Sequence, residues 1–493
     1  MGNRLKAFLT MGISSIIQVI INIIRTKLVA ILLGTMGVGI TSLLNNFVST
    51  ITSFTSLGLG NGIIKEISKQ KHNPKHIKEV EITSYIITLI LSIIAILAIF
   101  LFSKSISIQT MKDSSYSNYV IICSFAIPFI TLNTLNLSVI NGFSSIKNLA
   151  QANIMSSLVN LVISVILIYF LKLDGAIYAI FINSIITCIV YFIYGKKTFE
   201  DNNITYKFEL KYFNLAVMRP LFKYGIVVIV TSLMTNIALL GVRSVILNNL
   251  GIDYNGIFQS IWALCNQYML LILSSMGIYY LPKLCSKNSN SEIVNEMNET
   301  LNLVLKLVVP TILIVLNFRY FMIRALYSNE FLIAVEIIPL FLIGDFFKTI
   351  QWCICMPLYS IPKLKMQVLL EFIYDFILFT ISFILIKKVG LLGIGFAYLF
   401  SQIVLVIIEY AYLKKIIDFK YTKSNIFLIS VSFLVIFIPC IATYYLDQYL
   451  NYLISVLAII IWSVMCIKKT EIMLFKNYIS SKLCKSKGTN KYE

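Results

Sequence analysis

Charged residues are scarce in this chain of 493 residues. They make up 13% of the sequence, about half of the roughly 25% that is usual in soluble proteins. The charges are separated by apolar runs of about 20 residues, the length that a helix needs to cross a lipid bilayer, and the mean hydropathy is +0.86. The composition excludes a soluble globular protein and predicts an all-α, polytopic membrane protein.

Residue combinations that bind metals or perform catalysis are also missing. The two histidines, His72 and His76, flank Pro74, which interrupts any helix that would align them. Cys353 and Cys355 are two residues apart and would lie on different faces of a helix. The nine cysteines fall mostly inside apolar runs, so no disulfide framework is predicted. With no nucleophile–base pair, the sequence predicts a protein that is not an enzyme and that holds no metal and no cofactor.

Long external loops are lacking as well. The apolar runs predict about fourteen spans, near residues 8–33, 39–64, 82–103, 117–141, 149–171, 175–195, 220–242, 254–281, 302–323, 331–357, 366–386, 391–413, 425–446 and 451–467. The first run follows the basic start "MGNRLK" without a small-residue cleavage site, so we expect a retained helix. No external loop exceeds about a dozen residues, which argues against a membrane glycosyltransferase or polymerase.

The basic excess reports topology rather than nucleic-acid binding. The net charge is +19, but 27 of the 41 Lys and Arg residues fall in segments on one side of the predicted spans and six fall in loops on the other. Such asymmetry marks the cytoplasmic side. Both termini are therefore predicted to be cytoplasmic, and no nucleic-acid partner is expected.

The chain repeats itself at an offset of about 217 residues. "LLGTMGVGI" (32–40) matches "NLGIDYNGI" (249–257), "SSIK" (144–147) matches "SIPK" (360–363), and "DGAIYA" (174–179) matches "LGIGFAY" (392–398). Two six-span halves in one membrane orientation are a transporter architecture with the substrate between the halves. The predicted organisation is a first half at 1–196, a linker at 197–218, a second half at 219–415, two further spans at 416–468 and a basic tail at 469–493.

Eight cations remain inside or at the edge of spans. Arg25 lies nine residues before Gly34 and Arg243 lies eight before Gly251, so both halves place an arginine at a similar height. Snorkelling to the membrane surface would also explain such cations. An anionic ligand in a central cavity is the functional alternative. The candidate cations for such a ligand are Arg25, Lys27, Arg243, Lys306, Arg319 and Lys348.

Acids within the predicted spans occur only in the second half: Glu336, Asp345, Glu371, Asp375 and Glu409. A pump for cations would need a buried carboxylate in the first half too, so the distribution favours an anionic substrate. Phosphate is suitable because guanidinium binds it through paired hydrogen bonds. Asp345 and Lys348, one turn apart, could form a structural ion pair or a gate.

Uncharged polar residues in two spans have two interpretations. Asn46 in the second span, and Gln259 and Asn266 in the eighth, could join helices by hydrogen bonds or could line a cavity for sugar.

With these residues in view, the chain resembles Wzx-type lipid-linked oligosaccharide flippases of the multidrug/oligosaccharidyl-lipid/polysaccharide (MOP) superfamily, especially the branch for the enterobacterial common antigen unit. The resemblance runs over about residues 1–415. The segments that carry it are "TKLVAILLGTMGVGI", "NGIIKEISKQKHNPKHIKEV", "GIFQSIW", "YYLPKL", "LKLVVP", "RYFMIRALYSNEF", "LIGDFFK" and "GLLGIGFAY".

The resemblance implies two six-helix lobes that work by alternating access in the bacterial inner membrane. The implied substrate is an undecaprenyl-pyrophosphate-linked glycan, such as an O-antigen unit for the cell envelope. The implied partners are membrane lipids, a glycan polymerase and chain-length proteins. Positions that match family cations are Lys27, Arg243, Lys306, Arg319 and Lys348, with Asp345 matching an acid and Asn266 standing where relatives carry aspartate.

Several alternatives stay open at this point. A cation-coupled multidrug exporter shares the fold, and a flippase for lipid II or a teichoic-acid precursor shares the pyrophosphate handle. Whether Arg25 or Lys27 faces the cavity is undecided, since the repeat favours Arg25 and the resemblance favours Lys27. The two extra C-terminal spans could line a groove for the lipid tail.

Overall fold

The computed structural model describes residues 2–466 apart from 72, 205–208, 286, 288 and 361–363. His72, part of the predicted linker, Lys363 of the repeated "SIPK" segment and the predicted basic tail lie outside these residues.

Helices form almost all of the described chain. The α-helices are α1 (Gly2–Thr55), α2 (Leu59–Lys69), α3 (Pro74–Met111), α4 (Ser117–Ser124), α5 (Ile127–Gly142), α6 (Ile146–Asp201), α7 (Met218–Asn249), α8 (Ile252–Cys285), α9 (Asn290–Leu326), α10 (Ala334–Cys355), α11 (Pro357–Ser360), α12 (Leu364–Val389), α13 (Leu392–Ile417), α14 (Lys423–Tyr445) and α15 (Gln448–Cys466). Short 3₁₀ turns cover Ser114–Tyr116, Leu210–Tyr212, Leu215–Val217 and Asn329–Ile333.

The helices account for the predicted membrane spans. Within the described ranges, eleven helical segments are long and apolar enough to cross a membrane. Two of them, in α1 and α6, contain a non-helical residue, Gly34 or Lys172, at which one span ends and the next begins. Together with α10, these helices cover thirteen of the fourteen predicted spans. The predicted second span, 39–64, is interrupted, because α1 ends at Thr55, Leu57 and Gly58 have positive φ, and the chain resumes as α2 at Leu59. The prediction of an all-α, polytopic membrane protein is confirmed.

The surface of α3 shows the pattern that a lipid solvent imposes. Its large side chains Phe100 and Leu101 are 61% and 76% exposed, whereas Ser84, Thr88 and Ser92 are buried. The Ser92 hydroxyl lies 3.3 Å from the Thr131 hydroxyl of α5. Small polar residues let helices approach closely while large apolar ones face the lipid. The helix is therefore buried on its polar side.

The described residues group into two compact units. The first comprises those of Met1–Trp262, Phe321–Ala334 and Lys363–Ala397, and the second those of Ala263–Tyr320, Val335–Pro362 and Tyr398–Glu493. The first unit contains α1 to α7, and the second contains α14, α15 and all of α10 after its first residue, Ala334.

The internal repeat is visible in the backbone. Gly34 (φ 65°) and Gly251 (φ 100°) both have positive φ and end a span at equivalent positions. Lys172 (φ 48°) and Gly390 (φ 63°), 218 residues apart, do the same before the sixth and twelfth predicted spans. In each half, therefore, a residue with positive φ forms the turn between two spans.

Two equivalent glycines bring the first and second halves together inside the first compact unit. A Cβ atom on Gly39 would lie 2.4 Å from the Ile252 carbonyl oxygen, and one on Gly256 would lie 2.1 Å from the Thr35 carbonyl oxygen. Residues 39 and 256, and likewise 35 and 252, are 217 apart in sequence. The contact is therefore reciprocal, and only glycine permits it.

Replacing Gly256 with alanine is expected to destabilise the protein. The added methyl group has only backbone to displace, so we expect a loss of about 1–3 kcal/mol, the usual cost of overpacking. Thermal unfolding of the detergent-purified protein, followed by tryptophan fluorescence, measures this change.

Gly277→Ala is the matched control for this prediction. Gly277 lies in the same helix α8, but a Cβ atom there would lie 3.5 Å from Trp352, at ordinary contact distance. Equal melting temperatures for the two variants would contradict a close packing role for Gly256.

Candidate anion-binding site

Arg243, in α7, is a deeply buried cation. Its side chain is 3% exposed. Nη1 donates a hydrogen bond of 2.8 Å to the Ser42 hydroxyl, and Nη2 donates to the Gln259 side-chain oxygen. The guanidinium carbon lies 5.2 Å from the centroid of the Phe258 ring, at cation–π distance. Within the described residues, all of the side chains that bind this arginine are uncharged.

The two hydrogen-bond partners of Arg243 are equivalent residues of the repeat. Ser42 and Gln259 are 217 residues apart, and each lies three residues after one of the contacting glycines, Gly39 and Gly256. The guanidinium therefore bridges matching positions of the two halves, one turn from their closest approach.

Arg243 keeps an unneutralised charge. Its Nε is buried and has no hydrogen-bond partner within the described residues, and no carboxylate there lies within ion-pair distance of it. Burial of an unpaired charge is costly, so such a charge favours an anion that can replace the missing partner. A guanidinium offers five donors in a planar fork that matches phosphate oxygens.

Arg25 does not share this environment. The offset of 217 residues aligns Arg243 with Thr26, so Arg25 stands one residue out of register, which is about 100° around a helix. Arg25 is partly buried, and it forms no hydrogen bond or ion pair with the rest of the described chain.

Lys27 binds the end of another helix. Its ammonium donates to the carbonyl oxygens of Arg324 (2.7 Å) and Tyr327 (2.5 Å) at the end of α9. The last carbonyls of a helix lack helical partners and carry partial negative charge. The structure thus gives Lys27 a local partner of its own, in the same compact unit.

Asp345, in α10, is fully buried and is held by two tyrosines. Tyr398 donates a hydrogen bond of 2.7 Å to Oδ1, and Tyr268 donates to Oδ2. The Asp345 side chain is 0% exposed. Both carboxylate oxygens are thereby satisfied within the second compact unit.

Lys348 lies on the same helix but does not pair directly with Asp345. Its ammonium donates to the Asn266 side-chain oxygen at 3.1 Å, while its charge still acts on the Asp345 carboxyl. The structure therefore brings three predicted residues, Asn266, Asp345 and Lys348, into one polar cluster with Tyr268 and Tyr398. We call these five residues the Asp345 cluster.

The remaining predicted residues lie elsewhere. Asn46 is partly buried, and its side-chain oxygen has no partner within the described residues. Lys306 is partly buried in the first half of α9. Arg319, further along α9, donates to the Leu316 carbonyl at 2.6 Å and lines a cavity beside α14 and α15.

Two acids of the first half are buried near the ends of the spans. Glu66 is 8% exposed and Glu81 is 5% exposed. Glu81 immediately precedes the predicted third span, 82–103. The Glu66 carboxylate lies 3.5 Å from His76 Nε2. The middle of the predicted spans in this half remains free of acids.

Sequence reasoning missed three contributors to these sites. Ser42 is an unremarked serine next to the polar face of the second span, and Asn255 donates to the Arg243 carbonyl at 3.1 Å. Tyr398 closes the repeated "LGIGFAY" segment, where only the glycines drew attention. The repeat offset itself could have identified Ser42 as the equivalent of Gln259.

The charged side chains of these sites can recognise a charged ligand. In the part of the chain that the structure describes, no group of three or more His, Cys, Asp or Glu side chains is placed to hold a metal ion. Arg243 can donate to an anion, and the Asp345 cluster combines one carboxylate with one ammonium.

Comparison with known sequences identifies the family of this chain. Residues 5–279 match the family described as polysaccharide biosynthesis protein. The lipid III flippase of Escherichia coli K12 is 23% identical over 400 residues, which cover 81% of this chain and 95% of that protein. The prediction of a resemblance to this group is confirmed.

Solved structures share the fold. An inward-facing multidrug transporter of the MATE family, in the MOP superfamily, superposes with a TM-score of 0.71 at 14% identity, covering 84% of this chain and 98% of that one. Lipid II flippase MurJ superposes with a TM-score of 0.69 at 15% identity, covering 94% and 98%. The superposition on MurJ leaves about 30 residues of this chain unmatched. Helices α14 and α15 contain 23 and 19 residues, which together exceed that number. The shared fold therefore includes part of these two helices.

Proposed function

Because the chain belongs to the polysaccharide biosynthesis protein family, we propose that it is a flippase for a lipid-linked oligosaccharide. It moves a glycan on an undecaprenyl-pyrophosphate carrier from the cytoplasmic to the outer leaflet of a bacterial inner membrane by alternating access. Its similarity to the lipid III flippase of Escherichia coli supports this reaction.

The observation that carries the proposal is Arg243. A buried guanidinium whose partners among the described residues are neutral, and whose Nε has none there, favours an anionic ligand. The pyrophosphate is the charged group that every carrier of this class presents. On arrival its anionic oxygens replace the neutral acceptors Ser42 and Gln259, so that donor and acceptor are both charged and can pair bidentately. The ligand thereby stabilises one conformation over another and shifts the equilibrium between them.

Arg319 is left out of this pyrophosphate site. Glu336 lines the same cavity as Arg319, and its carboxylate would repel a ligand that carries two or more negative charges. The proposed pyrophosphate ligand is therefore Arg243, with Gln259 and Ser42 as its neutral neighbours.

The finer features of the proposal follow from charge and composition. Both termini are cytoplasmic because Lys and Arg are concentrated on that side. The first half (1–196) and second half (219–415) move as lobes joined by the linker 197–218. The protein acts without covalent catalysis, and a glycan polymerase and chain-length proteins act on its product in the outer leaflet.

Transport by the purified protein tests the proposal. Proteoliposomes are prepared with a fluorescent pyrophosphate-linked oligosaccharide in both leaflets, and a membrane-impermeant quencher is then added. We expect the protein to make the inner-leaflet fraction accessible to the quencher, while protein-free liposomes keep it protected. Protection that is equal in both preparations would contradict the proposal.

The same vesicles test the exporter alternative. A cationic dye is loaded under a sodium or proton gradient, as a multidrug exporter would require. Gradient-driven dye movement without movement of the labelled glycan would favour that alternative.

A further inference from the structure

A polar cavity lies beside the two C-terminal helices, at the end of the bundle that the charge asymmetry places outside. Its volume is about 220 Å³, the space of about seven water molecules at about 30 Å³ each. The walls come from α9, α10, α14 and α15, all within the second compact unit. The side chains that matter are Arg319, Glu336, Tyr444, Asn451 and Tyr452.

The cavity holds two opposite charges that do not neutralise each other. Arg319 and Glu336 both line it, yet no ion pair joins them within the described residues. Arg319 Nη1 donates to the Leu316 carbonyl of its own helix, and Nε is buried without a partner among the described residues. A cation and an anion held apart in one cavity leave room for a ligand that carries both charges.

A second buried group points to a ligand in the same cavity. Asn451 is 2% exposed, and its side-chain oxygen has no partner in the described part of the chain. Buried polar groups of this kind are normally satisfied by protein, water or ligand. Tyr444 donates its hydroxyl to the Glu336 carbonyl at 2.7 Å, which fixes the wall between α10 and α14.

The cavity lies at the depth of lipid headgroups. Two tyrosines near the turn between α14 and α15, Tyr445 and Tyr449, are strongly exposed at 82% and 87%, and Tyr444 beside them is 40% exposed. Exposed tyrosines at the ends of spans mark the interface between membrane and water. Below them, α15 exposes Leu453 and Val456 at 58% and 50%, a surface for acyl chains.

We propose that this cavity binds the headgroup of a zwitterionic phospholipid from the outer leaflet. Arg319 binds the phosphate, Glu336 binds the ammonium group, and the acyl chains lie along the exposed apolar face of α15. Because the lipid contacts α9, α10, α14 and α15 together, its binding stabilises the attachment of the last two helices.

Native mass spectrometry of the full-length, delipidated protein tests the site. The protein is titrated with phosphatidylethanolamine and, separately, with anionic phosphatidylglycerol. We expect one molecule of phosphatidylethanolamine to bind with about tenfold preference over phosphatidylglycerol, the lower end of what a charge-assisted hydrogen bond supplies.

Two variants separate the roles of the charges. Arg319→Gln is expected to weaken the binding of both lipids about tenfold, because both present a phosphate. Glu336→Gln is expected to remove the preference for phosphatidylethanolamine while leaving the binding of phosphatidylglycerol unchanged or stronger. Arg324→Gln, an exposed arginine on the same helix α9, is the matched control and should bind both lipids like the original protein.

Two further readouts make the outcome decisive. Trp462 is buried in α15 and donates to the Ser432 hydroxyl of α14 at 2.9 Å. With Trp262 and Trp352 replaced by phenylalanine in every protein compared, its fluorescence reports whether the variants keep this helix pair. Soluble phosphoethanolamine should not compete with the lipid, because acyl chains contribute to binding. Unchanged binding by Arg319→Gln, an unchanged lipid preference in Glu336→Gln, or full competition by the soluble headgroup would each overturn the proposal.

Discussion

Replacing Arg243 with glutamine is expected to reduce glycan flipping at least about 100-fold while leaving the protein as stable as before, or more stable. The loss of transport follows because hydrogen bonds to a charged group contribute about 1.5–3 kcal/mol each, and Arg243 offers the substrate more than one. The stability is retained because the guanidinium is a buried charge without an acidic partner in the described chain. Removing such a charge relieves a desolvation cost.

The measurement combines the quenching rate in proteoliposomes with the melting temperature in detergent. Arg243→Lys keeps the charge without the planar fork, so we expect an intermediate rate, about tenfold reduced. Arg219→Gln, an exposed arginine at the start of the same helix α7, should flip at close to the original rate. Normal flipping by Arg243→Gln would exclude Arg243 as the pyrophosphate ligand.

Replacing Asp345 with alanine is expected to have the opposite signature, a large loss of stability. The change removes the carboxylate that accepts the hydroxyls of Tyr268 and Tyr398, and it removes the negative charge that acts on Lys348. Leaving a buried donor without its acceptor costs about 1–3 kcal/mol for each group. The melting temperature of purified Asp345→Ala should fall clearly. Asp345→Asn keeps one acceptor, so its melting temperature should lie between those of the original protein and Asp345→Ala.

A double-mutant cycle shows whether the Asp345 cluster acts as a unit. Asp345→Asn and Lys348→Gln are combined, and their effects on unfolding are compared with the single changes. Residues in one network show coupling of about 0.5–3 kcal/mol, so the double variant should lose less stability than the sum of the singles. Strict additivity would show that Lys348 interacts with Asn266 alone.

The fold could be predicted from the sequence because bilayer thickness and charge asymmetry act on long stretches of residues. Apolar runs of about 20 residues have few alternatives to a membrane helix, and the repeated turns fixed where the spans end. The structure adds what these patterns do not contain. Lys172 has a positive φ and forms the turn that Gly390 forms in the second half. A lysine side chain gives no indication of such a turn.

The candidate site was predicted only in part, because residue types do not report direction around a helix. Arg25 and Arg243 looked equivalent by height, but a shift of one residue separates their faces by about 100°. Tyr398 was missed because it is an ordinary aromatic in an apolar run until Asp345, 53 positions away in sequence, meets its hydroxyl. Gln259 and Asn266, in contrast, were recognised as polar exceptions in a span, and both now contact a predicted cation.

The reciprocal contact of Gly39 with Gly256 has the geometry of an isologous dimer interface carried within a single polypeptide. In a homodimer, an arginine bound near the twofold axis would meet its own copy at close range, and like charges repel strongly in a poorly solvated site. The fused chain has Arg243 in one half and Thr26 at the matching position of the other. A single chain with two similar halves can therefore hold one guanidinium where a symmetric dimer would have two.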